Sequence, residues 1–198
     1  MTSLRNSLVF LFIIFISFSK AQNTYADLLS IPGPVEFDGT EYFLSWSKPI
    51  SKTLVRQQYL PAEESLENFT EMLDFSFFNK EIEMEMAVRQ RVEGIQYRAK
   101  SDKYAKVNVA ESPDGKEFIV DYFTSENPAQ GDSFIEYNIY RFKSPQIGTD
   151  KNFLILAHTK RVYGDLRSAA KSLAKERDHL LTAMIEFPIP DIKMVSIN

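Results

Sequence analysis

The chain has no cysteine among its 198 residues. That absence excludes thiol nucleophiles, cysteine-ligated zinc, disulfide staples and lipid attachment through an N-terminal cysteine. Glycine is scarce, at seven residues, and no two stand in a Gly-x-Gly arrangement. Dinucleotide-binding and P-loop folds need such closely spaced glycines, because a backbone without Cβ lets phosphate approach the amides. Neither chemistry is expected. Histidine occurs twice, as His158 and His179, without the close partner that histidine-ligated zinc requires. The sequence therefore predicts no metal and no cofactor. Lysine and arginine form no block and the formal net charge is −4. Nucleic acids and anionic lipids reward clustered cations, so neither is expected as a partner.

One apolar run does stand out. Leu8 to Ile16 is unbroken, follows Arg5, and leads into Ser17-Phe18-Ser19-Lys20-Ala21. A short positive start, an apolar core and small residues three and one positions before a cut make an export signal of bacterial type. The run is too short for a bilayer span, which needs about 20 apolar residues. Cleavage after Ala21 is the expectation, giving a periplasmic or extracellular mature chain that starts at Gln22. Losing Arg5 and Lys20 makes that product more acidic. Nothing later in the sequence reads as a transmembrane anchor, so the mature protein is expected to be soluble.

Residues 22–34 read as a lead, closed by Ile31-Pro32-Gly33-Pro34, and residues 35–198 as a single domain with a short C-terminal tail. Phe37-Asp38-Gly39-Thr40 is a turn candidate. Glu41 to Trp46 reads as a strand ended by Pro49, and Thr53 to Leu60 as a second, closed by Pro61. Ser65 to Phe69 suggests a short helical turn. Leu73, Phe75 and Phe77 alternate with polar residues at the period of a half-buried strand. From Glu81 to Ala99 the period changes: Met84, Val88, Val92, Ile95 and Ala99 recur at helical spacing.

Strands are expected at Lys106–Ala110 and Glu117–Thr124, joined through Pro113-Asp114-Gly115. Two more are expected at Phe134–Phe142 and Phe153–Tyr163, separated by a loop over 143–151. Asp165 is placed to cap a last helix carrying Leu166, Ala170, Leu173, Leu180 and Met184 on one face, stopped by Pro188. Strands adjacent in sequence with helices set apart predict an α+β fold, a mainly antiparallel sheet of about six to seven strands packed with two main helices.

This order of elements resembles the PsbP-like fold, which Ran-binding nuclear factors share. The resemblance covers residues 35 to 187 and rests on element order, so it carries over no functional residue. It implies an extrinsic, non-catalytic accessory role.

Two functional readings follow. The first is a binding or accessory domain acting on an envelope protein or a small ligand. Its candidate binding residues are Trp46, Lys48, Asn138, Arg141 and Arg161, with the 125–133 and 143–151 loops as further surfaces. The second is a small hydrolase using Asp121, Glu136 and His158, which requires the three to converge in one concave pocket. No Gly-x-Ser-x-Gly elbow or complete triad motif is present, which favours binding. Oligomeric state is left open by the sequence.

Overall fold

The computed structural model describes residues 25–147 and 150–195. The expected signal segment at 1–21 lies outside the described residues. In chain order the elements are β1 (Val35–Phe37), β2 (Thr40–Ser51), β3 (Leu54–Pro61), β4 (Glu71–Phe78), α1 (Met84–Arg98), β5 (Lys106–Glu111), β6 (Glu117–Glu126), β7 (Phe134–Lys143), β8 (Gln146–Ile147), β9 (Asp150–Lys151), β10 (Phe153–Tyr163) and α2 (Leu166–Glu186).

The fold is α+β, with eight strands in one antiparallel sheet ordered β1-β2-β3-β4-β10-β7-β6-β5. The expected six to seven strands undercount it. The short edge strand β1 is three residues long, too brief to show a period-2 pattern, and β8 and β9 make a separate two-stranded ribbon inside the expected 143–151 loop. Residues 66–67 form a turn followed by a bend at 68, with no helix over 65–69. Pro49 does not end β2. The outer flank of β2 is paired by β1 only as far as Tyr42, and the β2–β3 register shifts beside Pro49. A residue without an amide hydrogen is tolerated in such an unpaired, irregular stretch.

Each helix covers a different face of the sheet. Helix α2 packs on β7 and β10, and α1 on β5, β6 and β7. The α2 side holds the larger core, including Tyr59, Leu73, Phe75, Tyr137, Ile139 and Leu156, against Ala169, Leu173, Leu180 and Met184 of the helix. The α1 side holds Val120, Tyr122, Phe142 and Phe153 against Val88 and Ile95. Burying such side chains contributes about 1.5–3 kcal/mol each, so the two apolar stripes hold the helices down.

Asp165 caps α2 as its sequence position predicts, accepting from the Ser168 amide at 2.9 Å. Gly115 takes φ +69° in the β5–β6 hairpin, which is why glycine follows Asp114 there. The lead and tail are also tied together. Lys193 and Val195 amides donate to the Leu29 and Leu28 carbonyls, while buried Gln57 accepts from the Leu29 amide at 3.0 Å.

Candidate functional site

Strand register decides which polar side chains meet. Asp121 pairs with Ile139, and Ile139 with His158, so all three share the α2 face. Glu136 pairs with Thr124 and Arg161. It lies three residues from Ile139, an odd offset, and therefore projects from the opposite, α1 side. The expected convergence of Asp121, Glu136 and His158 does not occur.

On the α2 face, Asp121 is 3% exposed and receives a bidentate clamp from Arg177, Nε to Oδ2 at 2.8 Å and Nη2 to Oδ1 at 2.9 Å. The Tyr137 hydroxyl and Asn108 Nδ2, both at 3.3 Å, complete its shell. Burial first, and the neighbouring Asp121 charge next, push the Tyr137 phenol well above its ordinary value, so it stays a neutral donor. Arg141 lies on this face too. Its Nε donates to Glu117 at 2.6 Å and its Nη1 donates to the carbonyls of Met184 and Phe187 at 3.0 and 2.9 Å. It thereby satisfies carbonyls that the end of α2 would otherwise leave unpaired.

His158 is fully buried. The Phe37 ring lies over it at 4.6 Å, its Nε2 sits 3.4 Å from the Tyr42 hydroxyl and 3.5 Å from Glu71, and its Nδ1 has no hydrogen-bond partner among the described residues. The Tyr42 hydroxyl donates to Glu71 at 2.6 Å, and Lys160 pairs with Glu71 at 2.7 Å and with Glu176 of α2 at 2.9 Å. This network ties β2, β4 and β10 to α2. Burial raises the Tyr42 phenol far above its ordinary value, with the Glu71 hydrogen bond adding to it. A buried imidazole beneath Phe37 is closed to substrate.

On the α1 side, Asn138 is buried and accepts from Thr159 Oγ1 at 2.8 Å. The Arg161 guanidinium is sandwiched between the Phe69 and Phe134 rings, at 3.8 and 4.5 Å, and donates to Glu136 at 2.6 Å. Of the five expected binding residues, Asn138, Arg141 and Arg161 are thus committed internally.

Trp46 and Lys48 differ. Because β2 runs on to Ser51, Trp46 sits mid-strand and not at the strand end its sequence context suggested. It is half-buried opposite Gln58, and exposed Lys48 lies opposite Arg56. Asp74, 6% exposed, gathers Arg56 at 2.6 Å, Gln58 at 2.9 Å and Ser76 at 3.0 Å beside them. Helix α1 packs mainly on β5, β6 and β7, to one side of this half of the sheet.

Between the two halves runs a cleft of about 780 Å³. Its lining includes Phe78, Phe142, Phe153 and Ile155 of the sheet, with Met86, Arg91 and Gly94 of α1 on the wall. Ile155 pairs with Ser76, and Ser76 with Arg56, so the cleft floor continues along one row of the sheet to Lys48. The sequence reading missed this cleft. The signal was Arg91, a cation between Val88 and Ile95 in the apolar stripe of α1. Among the described residues no group of three or more His, Cys, Asp or Glu gathers at metal-binding distance. No helix there is long and apolar enough to cross a membrane.

Residues 29–189 match a protein-family model, so the chain belongs to that family. The match spans β1 through α2 and therefore the whole sheet. No curated protein and no solved structure matches the chain.

Proposed function

We propose that this chain is an exported, non-catalytic binding domain that presents the open half of its sheet, from Trp46 and Lys48 to the α1 cleft, to a partner protein or small ligand. One observation carries the reading: the acids and cations of the rival hydrolase site are consumed by structure. Asp121 is clamped by Arg177, Glu136 is paired with Arg161 on the other face, and His158 is sealed under Phe37. A general base needs hydrogen-bond reach to a substrate; Asp121 and His158 are buried, and Glu136 is held by Arg161 on the opposite face. Trp46 and Lys48 remain available on the uncovered sheet, where an amphipathic ring beside a cation suits recognition.

Export rests on the Met1–Ala21 pattern. Kinship with the PsbP-like fold belongs to the same proposal. It is supported by the order of an N-terminal strand pair, a further strand, α1, an antiparallel meander and α2, and it agrees with an accessory role.

The test compares wild type with a Trp46→Ala, Lys48→Glu variant as bait against an envelope fraction of the source cells. A single stoichiometric partner held by wild type and released by the variant is the expected result. Turnover of chromogenic esters or glycosides that disappears in Asp121→Asn would overturn the reading.

A further inference from the structure

Six arginines are half-buried among the described residues: Arg56, Arg91, Arg98, Arg141, Arg161 and Arg177. Five of them pair with a carboxylate, namely Asp74, Asp102, Glu117, Glu136 and Asp121 in that order. Arg91 is the exception. Its guanidinium lies 4.1 Å over the Tyr140 ring and pairs with no carboxylate among the described residues. In a chain of net charge −4, where acids outnumber cations, an uncompensated and partly desolvated guanidinium is unexpected. The ring face stabilises the cation but leaves its hydrogen-bond donors unused.

Arg91 borders the α1 cleft, whose sheet floor is apolar. At about 780 Å³ the cleft falls within the ordinary range for small-ligand sites, which pair an apolar lining with a few polar groups that orient the ligand. The rest of the rim is balanced in charge: Glu81 is paired with Lys151 at 2.8 Å, and exposed Lys80 is offset by exposed Glu83. Arg91 is therefore the one half-buried charge among the residues that line the cleft, suited to one negative charge. Two further features fit a small apolar guest. Met86 is 43% exposed on the rim, where its flexible thioether can adapt to a ligand chain. Gly94 lies within the continuous helix α1, and an added Cβ would meet nothing within 4 Å. Packing does not require a glycine there, and its lack of a side chain widens the cleft.

We infer that the α1 cleft holds a single amphiphilic carboxylate, its head group paired with Arg91 and its hydrocarbon chain laid along the partly exposed Phe78, Ile82 and Ile155. The inference rests on the binding reading above and names the ligand class for that surface. It includes no chemical step.

The experiment is titration calorimetry of the purified protein with decanoate, decan-1-ol and decyltrimethylammonium. Decanoate binds saturably at one per chain, and about tenfold or more tighter than the alcohol, since a charge-assisted pair with a partly buried guanidinium is worth at least that much. Decyltrimethylammonium binds more weakly than the alcohol. Arg91→Gln abolishes the preference for decanoate while leaving decanol affinity unchanged, and retained decanol binding shows that the variant is folded. Arg91→Lys keeps most of the preference. Gly94→Leu, which fills the cleft, weakens both ligands. Decanoate uptake without saturation at one per chain, or a decanoate-to-decanol ratio unmoved by Arg91→Gln, would overturn the inference. A partner protein captured through Trp46 and Lys48 alongside inert decanoate sinks this inference and leaves the binding reading intact. Asp121-dependent turnover sinks the binding reading whatever decanoate does.

Discussion

Arg177 of α2 and Asp121 of β6 meet through two parallel hydrogen bonds at 2.8 and 2.9 Å, joining residues 56 apart in sequence. Asp121 is almost wholly buried and the Arg177 side chain is 29% exposed. The pair clamps the helix to the sheet where the sequence suggested a catalytic acid. Asp121→Ala leaves Arg177 without its counter-charge against the sheet. Urea unfolding is expected to show a loss of about 2–3 kcal/mol with unchanged slope, the lower side of what breaking a fully buried pair costs, because Arg177 is partly solvated. Adding Arg177→Met recovers part of the loss, since the two residues act as a unit. A single-variant change within about 0.5 kcal/mol, the ordinary surface range, contradicts the structural role.

Glu71 gives the protein an acid-sensitive limb. Its carboxyl is held well below the usual carboxylate range, first by the contact with His158, against burial, which raises it, and with further help from Lys160 and Tyr42. The His158 contact is long, at 3.5 Å, whereas Lys160 at 2.7 Å and Tyr42 at 2.6 Å push the same way at shorter range. A carboxyl lowered on folding adds stability that is complete above its unfolded value and is lost as pH falls from there through its lowered folded value. Stability from Glu71 is therefore full above about pH 5, and it declines as acid passes the ordinary glutamate value of about 4.3 toward the lowered folded one. Glu71→Gln is expected to be less stable than wild type at pH 7, with the gap narrowing between pH 5 and pH 3. Urea unfolding at each pH checks this, and a constant gap contradicts it.

Gly94 occupies an exposed position in the middle of α1, and a Cβ there meets open space. Glycine in a helix interior costs about 0.5–1 kcal/mol relative to alanine through its backbone freedom. Gly94→Ala is accordingly expected to raise the unfolding free energy by about that amount in the absence of ligand. Chemical denaturation of the two proteins side by side decides it, and a destabilised alanine variant would reveal a packing role that the helix surroundings do not show.

Local pattern made several elements legible. Phe153–Tyr163 and the Asp165 cap were readable because a strand that opens on a bulky apolar run ends at Gly164-Asp165, and both signals are local. The β5–β6 hairpin was readable through Asp114-Gly115, since the positive φ at Gly115 is a property of the residue itself. β1 escaped because three residues carry no period. The length of β2 escaped because proline's tolerance at position 49 depends on how far β1 reaches.

The candidate site was legible in residue type but not in partnership. Asp121, Glu136 and His158 were correctly noticed as polar groups in strands, yet a change of one residue in register exchanges the faces of a strand. The parity that separates Glu136 from Asp121 exists only in the β6–β7 pairing. Arg141 gave no local hint that it would close the end of α2.

By itself, the chain's composition and periodicity determined the α+β class, both helices and most strand positions, along with the lack of cysteine and of any Gly-x-Gly, because those follow from residue type and near neighbours. Only the tertiary structure decided which charges cancel, which face stays uncovered and that Arg91 alone among the half-buried arginines of the described residues lacks an acid. Ion pairing and burial join residues tens of positions apart, and those distances exist only once the strands have found their register.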